Sequence, residues 1–414
     1  MNILYIHQYF INKSGVGSAR SYDIASFLVK KGHDITVICG RTEYNGLKEM
    51  NGLKLWETQY EAGIRVVVCN VKYSNKMGIF KRFLSFLLFA VISTLYGITR
   101  RDVDIIFASS TPLTVAIPGI LLSIIKRAKY VFEVRDLWPE DLVAAKRIKK
   151  DGFIYLIYSV IEKASHKFAN KVIVVSGGFY NRLIERGYRK EKIEVLPLGA
   201  DGDIYKNLNR NKSFFLSNGI KARIIAIYAG AHGDANGLEI LVDAANLLRN
   251  IKDIAIVLIG DGKLKPLLKQ KKEFYKIENL YFIDAVNKNK IAEIISAADI
   301  GLLILKEILR PRWVMPNKLY DYMFSGLPII VNFSGTASDF IRENQIGLVA
   351  KPNSARDLAK QILFYAFNDH KRKEDGERAR VIAYKYFDRH IIAQKLEELF
   401  NEIIKQKGQR SNAQ

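Results

Sequence analysis

Short apolar runs alternate with amphipathic stretches along almost the whole chain, and the alternation stops once and then starts again. Strand-like runs rich in Val and Ile fall at Ile3–His7, Asp34–Cys39, Arg65–Cys69, Asp104–Ser109, Lys129–Val134, Lys171–Ser176 and Lys192–Pro197. Helical stretches separate most of them, for instance Ala19–Lys31, Leu113–Ile125, Tyr155–Ala169 and Gly178–Arg186. A continuous apolar run marks a strand covered on both faces, and parallel neighbours need a crossover between them. The pattern therefore predicts parallel sheets with helices on both sides.

After Leu198-Gly199-Ala200-Asp201 comes a polar stretch, Lys206 to Lys212, which reads as an interdomain linker. The alternation then resumes with strands at Arg223–Ala229, Ile254–Ile259, Leu280–Ile283, Asp299–Leu305, Pro328–Val331 and Leu348–Ala350, and a helix at Leu238–Arg249. A chain of 414 residues exceeds one comfortable core, and 49% hydrophobic residues suffice for two. The expected fold is α/β, with two doubly wound Rossmann-like domains, 1–205 and 213–387, facing across a cleft. Ligands belong at the carboxyl ends of the strands. The amphipathic stretch 388–407 is expected to cross back onto the first domain.

The net charge of +22 calls for an anionic partner: nucleic acid, an anionic membrane face or a phosphorylated substrate. The basic residues are spread along the chain, with no zinc-finger spacing and no RNP-like aromatic motif, which argues against nucleic acid. Cys39 and Cys69 lie in strand-like runs without metal spacing and suit a reducing compartment. The opening Met1–His7 is strand-like and lacks the basic and long apolar regions of a signal peptide, so a cytoplasmic protein is expected.

From Phe83 to Ile98 the chain is uncharged, between Lys81-Arg82 and Arg100-Arg101. As a helix it would span about 24 Å, short of the roughly 20 residues that cross a bilayer. It reads either as a largely buried helix of the first domain, partly exposed for membrane docking, or as a segment that dips into one leaflet with its basic flanks at the headgroups.

The segment Pro316-Asn317-Lys318-Leu319-Tyr320-Asp321-Tyr322-Met323 places a proline where helices start, a lysine in the first turn and a carboxylate one turn later. Free amides and an ammonium at a helix N-terminus hold phosphate, and the carboxylate accepts from sugar hydroxyls. An ordinary capped helix would read the same way. Other loops add to it. Asn12-Lys13-Ser14-Gly15-Val16-Gly17-Ser18 follows the first strand, and its glycines admit a phosphate while Ser18 can cap the next helix. Gly230-Ala231-His232-Gly233 occupies the equivalent place in the second half, and Gly260-Asp261-Gly262 ends another strand. Arg135-Asp136-Leu137-Trp138-Pro139-Glu140-Asp141 puts four charges and a tryptophan at one strand's carboxyl end, where idle burial is expensive. Two DxD strings, Asp102-Val103-Asp104 and Asp201-Gly202-Asp203, read as coincidence by their positions.

PNKLYDYMFSGLPIIV resembles the PSKLFEYMAxGxPVI segment of glycosyltransferase family 4, and SGVGSARSYDIA, EVRDLWPEDL, YAGAHGDANGLEIL and IGDGKLKPLL follow the same family in order. The resemblance is nearest to the O-antigen and capsule branch, which includes N-acetyl-L-fucosamine transferases. It implies a GT-B fold, a nucleotide-sugar donor with UDP as the expected nucleotide, retention of anomeric configuration, and no metal or other cofactor. It also implies a polyprenyl-diphosphate-linked saccharide acceptor, hence work at the inner face of the cell membrane.

By position, Asp321 replaces the second glutamate of the family's E-x7-E element, which contacts the donor ribose, and Trp313 replaces the first. The family's phosphate-binding Arg and Lys fall at Ala231 and Asn236, so Lys318, Arg312 and Arg310 are the candidate replacements. The donor set is then Gly15, Val16, Gly17, Gly230, His232, Gly233, Gly260, Arg312, Pro316, Asn317, Lys318, Leu319 and Asp321. Asp136 and Arg135 are expected to orient a sugar, and Lys318 to stabilise the leaving diphosphate. A nucleotide-sugar 2-epimerase of the same fold and a non-catalytic component of polysaccharide assembly are the alternatives.

Overall fold

The computed structural model of the chain describes residues 1–411 apart from Val16, Ser18, Glu43, Tyr44, Asn51, Gly52, Asn75, Lys76, Asn209 and 308–311. It divides into two compact units, one of Met1–Leu198 with the residues from Arg389 onward, the other of Gly199–Asp388.

The first unit holds β1 (Asn2–Ile6), β2 (Asp34–Arg41), β3 (Trp56–Glu61), β4 (Ile64–Lys72), β5 (Ile105–Ser109), β6 (Lys129–Val134), β7 (Lys171–Val174) and β8 (Ile193–Val195). They form one sheet in the order β3-β4-β2-β1-β5-β6-β7-β8. Every pair is parallel except β3 with β4. The strand order reverses at β1, which lies between β2 and β5 with Leu4 opposite Thr36 and Ile106. The sequence reading missed β3. Its residues, Trp-Glu-Thr-Gln-Tyr-Glu, are half-exposed at a sheet edge and carry no continuous apolar run.

The second unit holds β9 (Ile224–Ala229), β10 (Ile254–Ile259), β11 (Leu280–Ile283), β12 (Ile300–Leu303), β13 (Ile329–Val331) and β14 (Gly347–Val349). All pair in parallel, in the order β11-β10-β9-β12-β13-β14. β9 and β10 are buried along their whole length, as two-sided coverage by helices requires.

Two expectations about organisation are corrected. The first unit's opening segment ends at Leu198, not 205, because the following residues pack into the second unit. Tyr205 stacks on Phe324 with ring centroids 5.7 Å apart, and its hydroxyl donates to Asp321. The stretch 206–212 is likewise no free linker. Arg210 donates to the Ser325 carbonyl, and the Lys212 ammonium lies 2.6 Å from the Asp299 carboxylate. The helix Arg389–Ser411 belongs to the first unit, where Ile392, Leu396 and Phe400 join Ile24, Leu28 and Phe107 in one core. Arg389 pairs there with Asp23 at 2.6 Å.

The apolar segment is also longer than its charge-free stretch. The helix runs Ile79–Thr99, 21 residues, or about 31 Å, because Lys81 and Arg82 are accommodated in its first turn instead of ending it. By length and composition it could cross a membrane, yet 44% of its apolar stretch is buried in the fold. Phe86, Phe89 and Ile92 supply that inner face.

Candidate active site

In the second unit, the carboxyl ends of β9 and β10 meet the start of the helix Asn317–Phe324. Gly230, just past β9, has φ +151°, and a Cβ there would lie 3.1 Å from the Lys318 Nζ. Gly260, just past β10, has φ +142°, and its Cβ would fall 2.0 Å from the Gly230 carbonyl oxygen. Both positions therefore require glycine, for backbone conformation and for close approach. Lys318 reaches this loop pair with its ammonium 2.8 Å from the Tyr228 hydroxyl and 3.9 Å from the centre of that ring. The ring face and the hydroxyl hold the cation in place beside the glycine loops.

Asp321 follows one turn later. Its Oδ1 accepts from the Tyr205 hydroxyl at 2.6 Å and from the Lys288 ammonium at 2.5 Å. Lys288, in the first turn of the helix Lys288–Ser296, is a site residue that the sequence reading missed. Pro316 is the extended residue before the helix, not its first helical residue, and Asn317 is exposed. Leu319 is fully buried and its side chain belongs to the core, since its helical phase turns it inward, away from Lys318. That removes its side chain from the expected donor contacts.

His232 lies in the loop that follows β9. Its ring is fully buried, near Phe282 and Tyr228, and neither ring nitrogen has a partner among the described residues. Burial, with Lys265 and Lys318 nearby and Asp261 opposing, pushes the imidazole down to about 4, so it is neutral at pH 7. Lys265, also passed over in the sequence, sits beneath the same loop and donates to the Gly260 carbonyl at 2.8 Å and to Asp284 at 2.5 Å. Asn236 donates to the Ala231 carbonyl at 2.8 Å, so these two positions knit the loop and bring no cation to it. Gly233 is the residue before the short 3-10 turn Asp234–Asn236. Arg312 is exposed; its carbonyl accepts from the Thr336 amide at 2.7 Å. Arg310 lies outside the described residues.

In the first unit a buried polar network occupies the carboxyl ends of β1, β5 and β6. Arg20 and Glu133, both almost fully buried, pair at 2.8 Å. Glu133 also accepts from Ser109 at 2.5 Å, and Arg20 donates to the Leu196, Pro197 and Leu198 carbonyls. Burial pushes the Glu133 carboxyl up, but Arg20, Arg135 and the hydrogen bonds outweigh it, leaving it below the usual range. Arg135 donates from Nη1 to His7 Nε2 at 3.1 Å, which makes that nitrogen an acceptor. The proton therefore sits on Nδ1 and goes to Ser21 Oγ at 2.7 Å, and Tyr5 donates to the same oxygen. Burial first, then Arg135 and Arg20, holds His7 well below its ordinary value and neutral. Asp136 accepts from the Thr111 hydroxyl.

Part of the expected chemistry in this unit proves structural. Glu140 pairs with Arg182 at 2.9 Å, and Asp141 accepts from the Leu137 amide at 2.7 Å. The Gly15 amide donates to Asn12, to Oδ1 at 3.1 Å and to the carbonyl at 3.2 Å, so the loop's own asparagine takes the donor expected for phosphate. Val16 and Ser18 lie outside the described residues, and the helix that follows starts at Arg20 with no side-chain cap. The two DxD strings are engaged locally: Asp104 accepts from the Asn2 amide, and Asp203 pairs with Lys206.

Two parallel-sheet units of this kind, each with polar groups at the carboxyl ends of its central strands, make up the GT-B fold. Both halves of the chain match glycosyltransferase domains, residues 223–366 the family Glycosyl transferases group 1 and residues 16–199 the Glycosyl transferase 4-like domain, and the chain is a glycosyltransferase. It is 24% identical over 293 residues to WbjE of Pseudomonas aeruginosa, named as a glycosyltransferase, covering 70% of this chain and 73% of that one. It is 22% identical over 339 residues to WcaI of Escherichia coli K12, named as a colanic acid biosynthesis glycosyl transferase, covering 78% and 81%. The solved structure of Anabaena HepE in complex with UDP superposes with a TM-score of 0.72 at 17% identity, over 97% of this chain and 100% of that one.

Proposed function

We propose that this glycosyltransferase moves a sugar from a UDP-linked donor to a polyprenyl-diphosphate-linked saccharide during polysaccharide synthesis, with retention of configuration and without a metal. The observation that carries the reading is the helix Asn317–Phe324, which sets Lys318 against the Gly230 loop and Asp321 one turn further on. The ammonium and the first-turn amides suit the diphosphate, and Asp321 suits a ribose hydroxyl. In the reaction the bond from the sugar C1 to the diphosphate oxygen breaks. The acceptor oxygen bonds to C1 on the same face, and its proton passes to the leaving diphosphate. Lys318 offsets the charge that grows there. Arg135 and Asp136 are read as orienting a sugar.

The colanic acid biosynthesis in the name of WcaI, and the UDP bound by HepE, support a polysaccharide-synthesis role and a uridine nucleotide. The donor sugar is proposed to be an N-acetylated deoxyhexosamine such as N-acetyl-L-fucosamine. The enzyme is placed on the cytoplasmic face of the membrane, docked through Lys81, Arg82, Arg100, Arg101 and exposed parts of the helix between them.

A thermal-shift panel of nucleotide sugars, followed by transfer to a lipid-linked acceptor, tests the reading. A donor at a hundred times its Kd stabilises the fold by about 2.7 kcal/mol. No stabilisation by any nucleotide sugar would leave a non-catalytic role, and conversion of a UDP-sugar to its epimer without acceptor would make the protein an epimerase.

A further inference from the structure

The helix Ile79–Thr99 does not carry the exposed apolar surface of the first unit alone. The helices Ala116–Lys126 and Phe153–Phe168 lie beside it in sequence of contact, the middle one touching both. Gly97 meets Leu122 so closely that a Cβ would fall 2.3 Å from Leu122 Cδ1. Val91, Ile124 and Val160, one from each helix, are 55%, 57% and 66% exposed. The three helices carry one acid between them, Glu162, and it is buried and paired with Arg186 at 2.6 Å. A broad apolar surface without accessible acid suits an anionic bilayer.

On Phe153–Phe168 the exposed stripe changes character along its length. Leu156 and Val160 are followed on the same side, at helical spacing, by Lys163 and Lys167. Those lysines open onto a recess of about 270 Å³ at the amino ends of β7 and β8, lined also by His166, Tyr188, Arg189 and Lys192. No acid lines it. Lys163, Lys167 and Arg189 are exposed; Arg189 has only a distant pairing with Glu191, at 3.8 Å. Lys192 donates to the Lys167 and Ala169 carbonyls.

His166 defines what else the recess accepts. It is 5% exposed and stacks on Tyr188 with ring centroids 4.2 Å apart. Nδ1 lies 2.8 Å from the Glu162 carbonyl, which can only accept, so Nδ1 carries the proton. Burial pushes the ring down to about 4, and Nε2 is therefore an acceptor, buried and without a partner among the described residues. A ligand that satisfies the site brings an anion for the cations and a hydroxyl for Nε2.

We propose that this recess binds the headgroup of a hydroxyl-bearing anionic phospholipid, a phosphoglycerol, at the edge of a bilayer-facing surface made by all three helices. The apolar stripe that runs into the recess is the reason to assign it to a lipid and not to free glycerol phosphate. The inference rests on the membrane reading above, and it adds a ligand and two helices to it.

The test uses the full chain and neutral vesicles doped equally with phosphatidylglycerol or with phosphatidylmethanol, which has the same charge and no hydroxyl. The protein should prefer phosphatidylglycerol by roughly threefold to tenfold, the effect of one net hydrogen bond. His166→Leu should abolish the preference and still bind both vesicles, and Lys163→Gln with Lys167→Gln should weaken binding to both. Cooperative thermal unfolding of each variant guards against simple misfolding. Equal binding of the two lipids by the unaltered protein, or a preference that survives His166→Leu, overturns the proposal. Saturable binding of soluble glycerol phosphate that displaces no vesicles would assign the recess to a soluble ligand instead. Sugar transfer to a soluble acceptor analogue in detergent, followed in the same variants, reports separately on the catalytic reading.

Discussion

The Lys288 ammonium lies 2.5 Å from the Oδ1 of Asp321, the oxygen that also accepts from Tyr205. Both contacts fall on one oxygen of the carboxylate, so Oδ2 is the atom available for a ribose hydroxyl. Asp321→Ala should weaken UDP binding by about 1–3 kcal/mol while unfolding stays cooperative. Titration calorimetry with UDP gives the answer, and an unchanged affinity would remove Asp321 from the donor site.

Lys318 should behave differently. If its charge meets the leaving diphosphate, Lys318→Gln lowers turnover by about a hundredfold to a thousandfold, with a smaller loss in UDP affinity. Separate measurements of kcat and of the UDP dissociation constant make the comparison. Losses of equal size would mean that the ammonium only holds the donor.

The Arg20–Glu133 pair predicts a structural defect, not a kinetic one. Glu133→Gln leaves Arg20 buried with a poorer partner, a change that costs about 3–5 kcal/mol when a buried pair is broken outright. The melting temperature should fall well beyond what a surface change produces. If stability is untouched, the network's energetic role is wrong.

Acid stability follows from three buried histidines, His7, His166 and His232, all held below their ordinary value. Below about pH 6.5 the unfolded chain takes up protons that the folded chain refuses, so stability falls as pH drops from there toward about 4. Each histidine adds up to about 1.4 kcal/mol per pH unit to that slope. His166→Gln should flatten the curve of unfolding free energy against pH, and an unchanged slope would count against the buried neutral ring.

Replacing Lys81, Arg82, Arg100 and Arg101 by glutamine should weaken binding to anionic vesicles by about 1 kcal/mol per cation. Sedimentation at low salt is the measurement. Equal recovery in the supernatant with neutral and anionic vesicles would make the helix Ile79–Thr99 plain core.

How far the site could be read in the sequence depended on whether its geometry is local. Lys318 and Asp321 were legible because helical phase fixes where residues three apart point. β9, β10 and β6 were legible because a two-sided strand needs an unbroken apolar run. Lys288 was not, since nothing near it in sequence marks a partner 33 positions away, and Arg20 with Glu133 lie 113 apart. The Gly15 loop misled for a related reason. Its spacing fits phosphate, but spacing cannot say that Asn12 already accepts from that amide. His232 was placed on its loop, but its burial was not legible there, because the backbone of Gly262 closes over it, with a would-be Cβ 2.6 Å from the His232 carbonyl oxygen.

The return of the helix Arg389–Ser411 to the first unit makes Gly199–Asp388 an insertion within a domain that begins before it and ends after it. During synthesis the inserted unit can emerge whole and fold at once. The earlier one must wait, with Ile24, Leu28 and Phe107 uncovered, until Leu396 and Phe400 leave the ribosome. Premature termination near residue 388 would thus spare the later-made half and leave the first-made half sticky, so truncated products should aggregate through their amino-terminal part.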